Sequence, residues 1–280
     1  MPETPVLFDR DQLRRNRQRV VSDGGPVSFL HDIARDEVSE RLIEVNRTFT
    51  RPAVVTGTPS LWGDVVEGAT VVEDAETLAL EPGAHDLMIH AMALHWANDP
   101  VGQLIQCRRA LAPDGLLLAV FFGGRTLEEL RATLATAETR VSGGLSPRIA
   151  PMGDVRDLGA LISRAGLALP VADTLRLPVT YPDLPALMRD LRGMGEGNAM
   201  AGRTRSFTGR KVFEEAGALY ASHHGDGAGR LCATYELVFL AGWAPDESQQ
   251  QPLRPGSAKT RLADALGTLE IPADDTAPKD

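Results

Sequence analysis

Leu30, Ile33, Ala34, Val38, Leu42 and Val45 recur at steps of three and four, the spacing that lays one apolar stripe along a helix, and predict a helix over residues 27–49. Pro52 stops it, and 53–57 reads as a short buried strand. Residues 62–66 suit a helical turn or two, and 70–72 a second short strand. The runs 86–91 and 116–122 are apolar without alternation, as expected of strands covered by helices on both faces. Between them Asp99 can cap a helix with Pro100 at its first position, where a missing N–H loses no bond. That helix reaches about Leu111 and ends in the turn Pro113-Asp114-Gly115. Strand, helix and strand in this order make a parallel crossover unit.

Further on, Thr126 and Glu129 have the spacing of a capping box, in which each side chain satisfies the other's backbone N–H; Leu127, Leu130 and Leu134 form the inner face of the helix it starts. A helix over 154–165 is closed by Gly166, a residue that tolerates a left-handed backbone, and a strand follows over 171–179. Residues 182–231 are expected to be mainly helical, with Leu184, Leu187, Met188 and Leu191 as one stripe and Val212, Phe213, Ala216 and Leu219 as another. Residues 233–243 form a long strand. The pattern divides the chain into a leading arm and helix (1–50), an α/β domain (51–244) with a helical insertion at 182–231, and a polar tail (245–280) expected to be mostly mobile.

Composition narrows the function. The 280 residues are 43% apolar, enough for a full core, and 29 Lys plus Arg against 38 Asp plus Glu give a net charge of -9. That balance argues against non-specific nucleic-acid binding, which needs a basic footprint. Arg10, Arg14, Arg15, Arg17 and Arg19 nevertheless crowd the start. They read first as a solvated segment, with peripheral contact to an acidic partner or anionic lipid as the alternative. Cys107 and Cys232 have no metal or redox spacing and read as reduced thiols. No apolar run approaches the roughly 20 residues of a membrane span, and the acidic start lacks an apolar signal region, so a cytoplasmic location is expected.

The segments Leu94-His95-Trp96-Ala97-Asn98-Asp99-Pro100 and Arg109-Ala110-Leu111-Ala112-Pro113-Asp114-Gly115-Leu116 resemble the fourth and fifth strand region of class I S-adenosylmethionine (SAM) methyltransferases. Gly143-Gly144-Leu145-Ser146-Pro147-Arg148-Ile149, Arg164-Ala165-Gly166, the run Met188 to Asn198, Gly242-Trp243 and Phe8-Asp9-Arg10 resemble the branch containing a mitochondrial complex I assembly factor and its bacterial relatives. The resemblance covers about residues 70–258 and implies a Rossmann-like sheet, parallel with its last strand antiparallel. It also implies SAM at the carboxyl ends of the first strands and small helices over the substrate side. The assembly factor is associated with hydroxylating an arginine of a complex I subunit, so such a subunit is the implied partner. Near relatives include the malonyl-carrier-protein methyltransferase.

The sequence departs from that family where the cofactor belongs. In place of D-x-G-x-G-x-G after the first strand stands Val54-Val55-Thr56-Gly57-Thr58-Pro59-Ser60, with one glycine, no acid and a proline. From Val55 to Val72 is 17 steps, whereas one strand-helix-strand crossover needs roughly 30 residues, so the second strand and at least one helix are expected to be missing. The cofactor candidates that remain are Gly57 together with Asp74 and Ala75, which resemble the acid and its neighbour after strand three.

His95 and Trp96 follow the fourth strand, where sites of doubly wound sheets gather; His can act as a base and Trp can wall a planar or cationic group. A helix-start histidine with a packed indole is the bland alternative. Gly124, Arg148, Glu196 and Asn198 are the substrate-side candidates, with Gly193 to Asn198 as an elbow over that side. His85, His90 and His95 recur at five-residue steps, which is no ligand spacing, and no metal site is expected. Three functions stay open: SAM-dependent transfer or hydroxylation on a protein, an assembly pseudoenzyme that no longer binds SAM, and a small-molecule methyltransferase.

Overall fold

The computed structural model describes residues 6–22, 25–249 and Gly267. The chain divides into two units, residues 1–246 and 247–280. Of the second, only 247–249 and Gly267 are described, so the expected mobile tail lies almost wholly outside the described residues.

The first unit opens with helix α1 (Arg10–Ser22) and helix α2 (Phe29–Val45), followed by strand β1 (Pro52–Thr56) and a single helical turn, α3 (Pro59–Trp62). Then come β2 (Thr70–Glu73), β3 (His85–Ala91), a 3-10 turn at Leu94–Trp96, α4 (Pro100–Ala110) and β4 (Leu111–Phe122). The order continues with α5 (Glu128–Ser142), α6 (Val155–Arg164), β5 (Ala168–Tyr181), α7 (Leu184–Gly193), α8 (Arg210–His224) and β6 (Leu231–Trp243). The strands form one sheet in the order β2-β1-β3-β4-β6-β5. β1 to β4 are mutually parallel, and β6, the last of the described strands, runs antiparallel between β4 and β5.

Apolar residues face both ways along the central strands because helices cover both faces. Val54, Ile89, Leu118 and Val120 point into a core closed by α2, α5, α7 and α8. Val55, Met88, Leu117 and Ala119 point into a second core closed by α4 and α6. Local signals hold at several helix ends: Asp99 accepts from the Gly102 amide at 2.8 Å, and Gly166 adopts φ +77° after α6.

The shortened first half is real. β2 pairs directly with β1, Thr56 opposite Glu73, and only α3 lies between them, so no strand intervenes where the family has its second. Asp74, which resembles the acid after strand three, therefore sits beside the first strand itself. The Thr126–Glu129 capping box does not form. Thr126 Oγ1 instead bonds the Gly123 and Glu236 backbone, and Glu129 accepts from Thr234 N and Oγ1 on β6. A buried carboxylate is better satisfied by two cross-strand donors than by one amide at a helix start.

Candidate functional site

The carboxyl ends of β1, β2 and β3 converge under α1. Arg10, Leu13, Arg17 and Val20 lie on one face of that helix by their spacing of three, four and three. Leu13 and Val20 bury, and the two arginines are carried inward with them. Arg17 Nη1 donates to Asp74 Oδ1 at 2.7 Å, and Arg10 Nη2 stands 3.1 Å from Asp74 Oδ2. Arg10 also donates to the backbone carbonyls of Trp96, at 3.1 Å, and of Asp74. The reading of the start as a solvated arm is thus corrected for Arg10 and Arg17; Arg14, Arg15 and Arg19 are exposed.

Asp74 is only 3% exposed. Burial pushes its pKa up, but the facing Arg17 and Arg10 outweigh it and hold the carboxyl below its ordinary value. Its neighbour Ala75 is fixed through the backbone, accepting from the Gln103 amide at 2.6 Å. Gly57 follows β1, and the Arg17 guanidinium lies directly on it; a β-carbon there would collide with the guanidinium. Gly57 and Ala75 line an open cavity of about 1060 Å³ that also runs along Arg14, Arg17, Ser60 and Glu73.

These residues do not fit SAM as they stand. The only glycine of the turn is covered by Arg17, and the one buried acid beside β1 already faces two arginines.

A second group lies past β3. Glu196 Oε2 accepts from Trp96 Nε1 at 2.9 Å and faces His95 Nε2 at 3.1 Å. The backbone aims it there: the Glu196 amide bonds Leu191 O and the Gly195 amide bonds Arg192 O, with Gly195 at φ +81°. This is the Schellman closure of a helix, here α7. The elbow expected at 193–198 is therefore a helix cap that delivers a carboxylate. Burial raises the Glu196 pKa, but His95, Arg17 and His31 together hold it below the ordinary carboxylate value. His31 is buried and pushed down to about 4, so it is neutral at pH 7. Its Nδ1 accepts from Trp62 Nε1 at 2.9 Å, which leaves the proton on Nε2.

Trp96, Arg148, Glu196 and Asn198 line one small cavity of about 40 Å³ with Tyr235, a volume for a few waters at most. Arg148 is held there by Glu138 at 2.7 Å and Thr208 at 3.0 Å. The Arg148 contact in turn draws the Glu138 pKa down to about 2. Asn198 spans Pro147 O and the Met200 amide. Gly124 lines neither cavity; it turns the chain at φ +51° against the Glu236 carboxylate. Trp96, Arg148, Glu196 and Asn198 thus come together from three separate segments, and Arg10, Arg17 and His31 were not among the site residues expected from the sequence. The heptad-like stripe of Arg10, Leu13, Arg17 and Val20 was the signal available for the first two.

Comparison with known proteins now decides the family. The methyltransferase domain family matches residues 36–119. Arginine-hydroxylase NDUFAF5, mitochondrial, of Danio rerio is 32% identical, over 94% of this chain and 91% of the relative. The Homo sapiens protein of that name is 32% identical, over 96% and 85%. The chain belongs to the NDUFAF5 family. A relative matched over a shorter stretch is malonyl-[acyl-carrier protein] O-methyltransferase of Laribacter hongkongensis, 37% identical over 67% of this chain and 61% of that protein. Within the NDUFAF5 family, then, this chain is a methyltransferase-fold member whose turn after β1 is occupied by its own Arg17.

Proposed function

We propose that the chain serves respiratory complex I assembly by acting on, or holding, an arginine-bearing segment of a complex I subunit, and that it does so without SAM in the arrangement described. One observation carries the reading: Arg17 fills the Gly57 turn and takes Asp74, which resembles the family's acid after strand three. The arginine-bearing partner is suggested by the relatives named arginine-hydroxylase. His95, Trp96, Arg148, Glu196 and Asn198 are the residues we assign to the partner side, with Gly124 at its edge. Glu196 is ionised and offers a guanidinium a charged acceptor. Both cysteines are free thiols, in keeping with a cytoplasmic or similarly reducing setting. No described helix is long and apolar enough to cross a membrane; the exposed Arg14, Arg15 and Arg19 suit peripheral contact with an acidic partner or lipid.

The second reading keeps SAM as cofactor, bound through Gly57, Asp74 and Ala75. The cavity of about 1060 Å³ beside Gly57 favours it, because that space reaches the carboxyl ends of β1 and β2. Titration of the purified chain with SAM by calorimetry separates the two. Absence of binding at millimolar SAM is expected here, and micromolar binding would overturn the first reading in favour of the second.

A further inference from the structure

Asp74 is a buried carboxylate whose side-chain partners, among the described residues, are two guanidiniums from one helix. They serve it unevenly. Arg17 gives Oδ1 a hydrogen bond of 2.7 Å. Oδ2 is buried and lacks a well-aligned hydrogen bond, with Arg10 Nη2 beside it at 3.1 Å. A single guanidinium entering end-on satisfies both oxygens of a carboxylate with two parallel bonds, so the present occupants fill the site less completely than one free arginine would. The floor suits the same ligand. Gly57 presents bare backbone against which a guanidinium can rest, and that of Arg17 already does so. The cavity of about 1060 Å³ opens onto both Gly57 and Arg17 and gives an extended chain room to approach. α1 itself is tied down by the Phe8–Met200 bridge and by Asn16 to Gly197 O at 2.9 Å, so an incoming arginine need displace only the Arg17 side chain.

We infer that Asp74 and Gly57 form a guanidinium-binding site that Arg17 occupies in cis, and that an arginine side chain of a partner segment competes with Arg17 for it. This rests on the proposed arginine-bearing partner and adds where its side chain is received. The site joins the Glu196 group through Arg10, which bridges Asp74 to the Trp96 carbonyl.

N-acetyl-arginine methylamide serves as the probe, with N-acetyl-lysine methylamide as control, titrated into the wild-type chain, Arg17→Ala and Arg17→Ala/Asp74→Asn. Arg17→Ala is expected to bind the arginine probe at least tenfold more tightly than wild type, to ignore the lysine probe, and to lose the gain with Asp74→Asn. Equal affinity in wild type and folded Arg17→Ala, or a gain that survives Asp74→Asn, would overturn the site. Should Arg17→Ala not fold, Arg17→Gln takes its place, and the Arg17 Nε–H resonance of the wild-type chain is followed during the titration. A resonance unmoved at saturating probe overturns the inference. Binding of SAM but not of the arginine probe by Arg17→Ala also overturns it. The SAM-free reading fails instead on the wild-type SAM titration, so the two failures are distinguishable.

Discussion

The Arg17 guanidinium bonds Asp74 Oδ1 at 2.7 Å while lying against Gly57, so one side chain from the first helix occupies both the acid and the turn at the end of β1. Removing it leaves a carboxylate that is 3% exposed with Arg10 alone for neutralisation. Breaking a buried pair from one side costs about 3–5 kcal/mol. Arg17→Ala is therefore expected to lower unfolding stability by about 3 kcal/mol in urea, and a loss below about 1 kcal/mol would show that the pair behaves as a surface one.

The same pairing fixes a pH dependence. The folded Asp74 pKa lies below its ordinary 3.8, and that of Glu138 is drawn from 4.5 to about 2. A carboxyl depressed on folding stabilises fully above its unfolded value, and the stabilisation fades as pH falls through the folded value. Glu138→Gln is accordingly expected to show a stability deficit that is constant above about pH 5.5 and shrinks steadily from about pH 4.5 downward. A deficit unchanged down to pH 3 would show that the Arg148 contact is not what draws the Glu138 pKa down.

Glu196 offers a cleaner separation of charge from hydrogen bonding. Alanine there removes the acceptor of the Trp96 indole and the partner of His95, and an unsatisfied buried donor costs about 1–3 kcal/mol. Glutamine keeps an oxygen for the indole but loses the charge facing Arg17. Glu196→Ala is expected to destabilise by about 2 kcal/mol and Glu196→Gln by about half that, as measured by chemical denaturation. Equal losses would assign the whole effect to charge.

Much of the fold was legible because its strands are apolar on both faces and its helices carry clear stripes; the crossover from β3 through α4 to β4 follows from Asp99, Pro100 and the turn at 113–115. The missing strand was legible as a length too short to hold it. What local pattern could not reveal was competition between partners. Glu129 has an ideal capping spacing but finds Thr234 on a strand 105 residues away. Arg10 and Arg17 look like surface charge until a buried acid at position 74 is placed beneath them. The grouping of His95, Trp96 and Glu196 was accessible only in outline, since the helix cap that aims Glu196 depends on Gly195 adopting a left-handed backbone.

Gly57 allows the contact with Arg17 to be tested from the other side. A β-carbon at position 57 would collide with the guanidinium, so Gly57→Ala must push Arg17 away and weaken its bond to Asp74. Overpacking of this kind costs about 1–3 kcal/mol. With Arg17 already cut back to alanine the clash with the guanidinium is gone, and Gly57→Ala should then cost less. The double-mutant cycle is expected to show a coupling of about 1–2 kcal/mol, in the range found for residues in contact. Additive losses in the cycle, measured by urea unfolding of all four chains, would mean that the Arg17 side chain does not rest on the turn in solution.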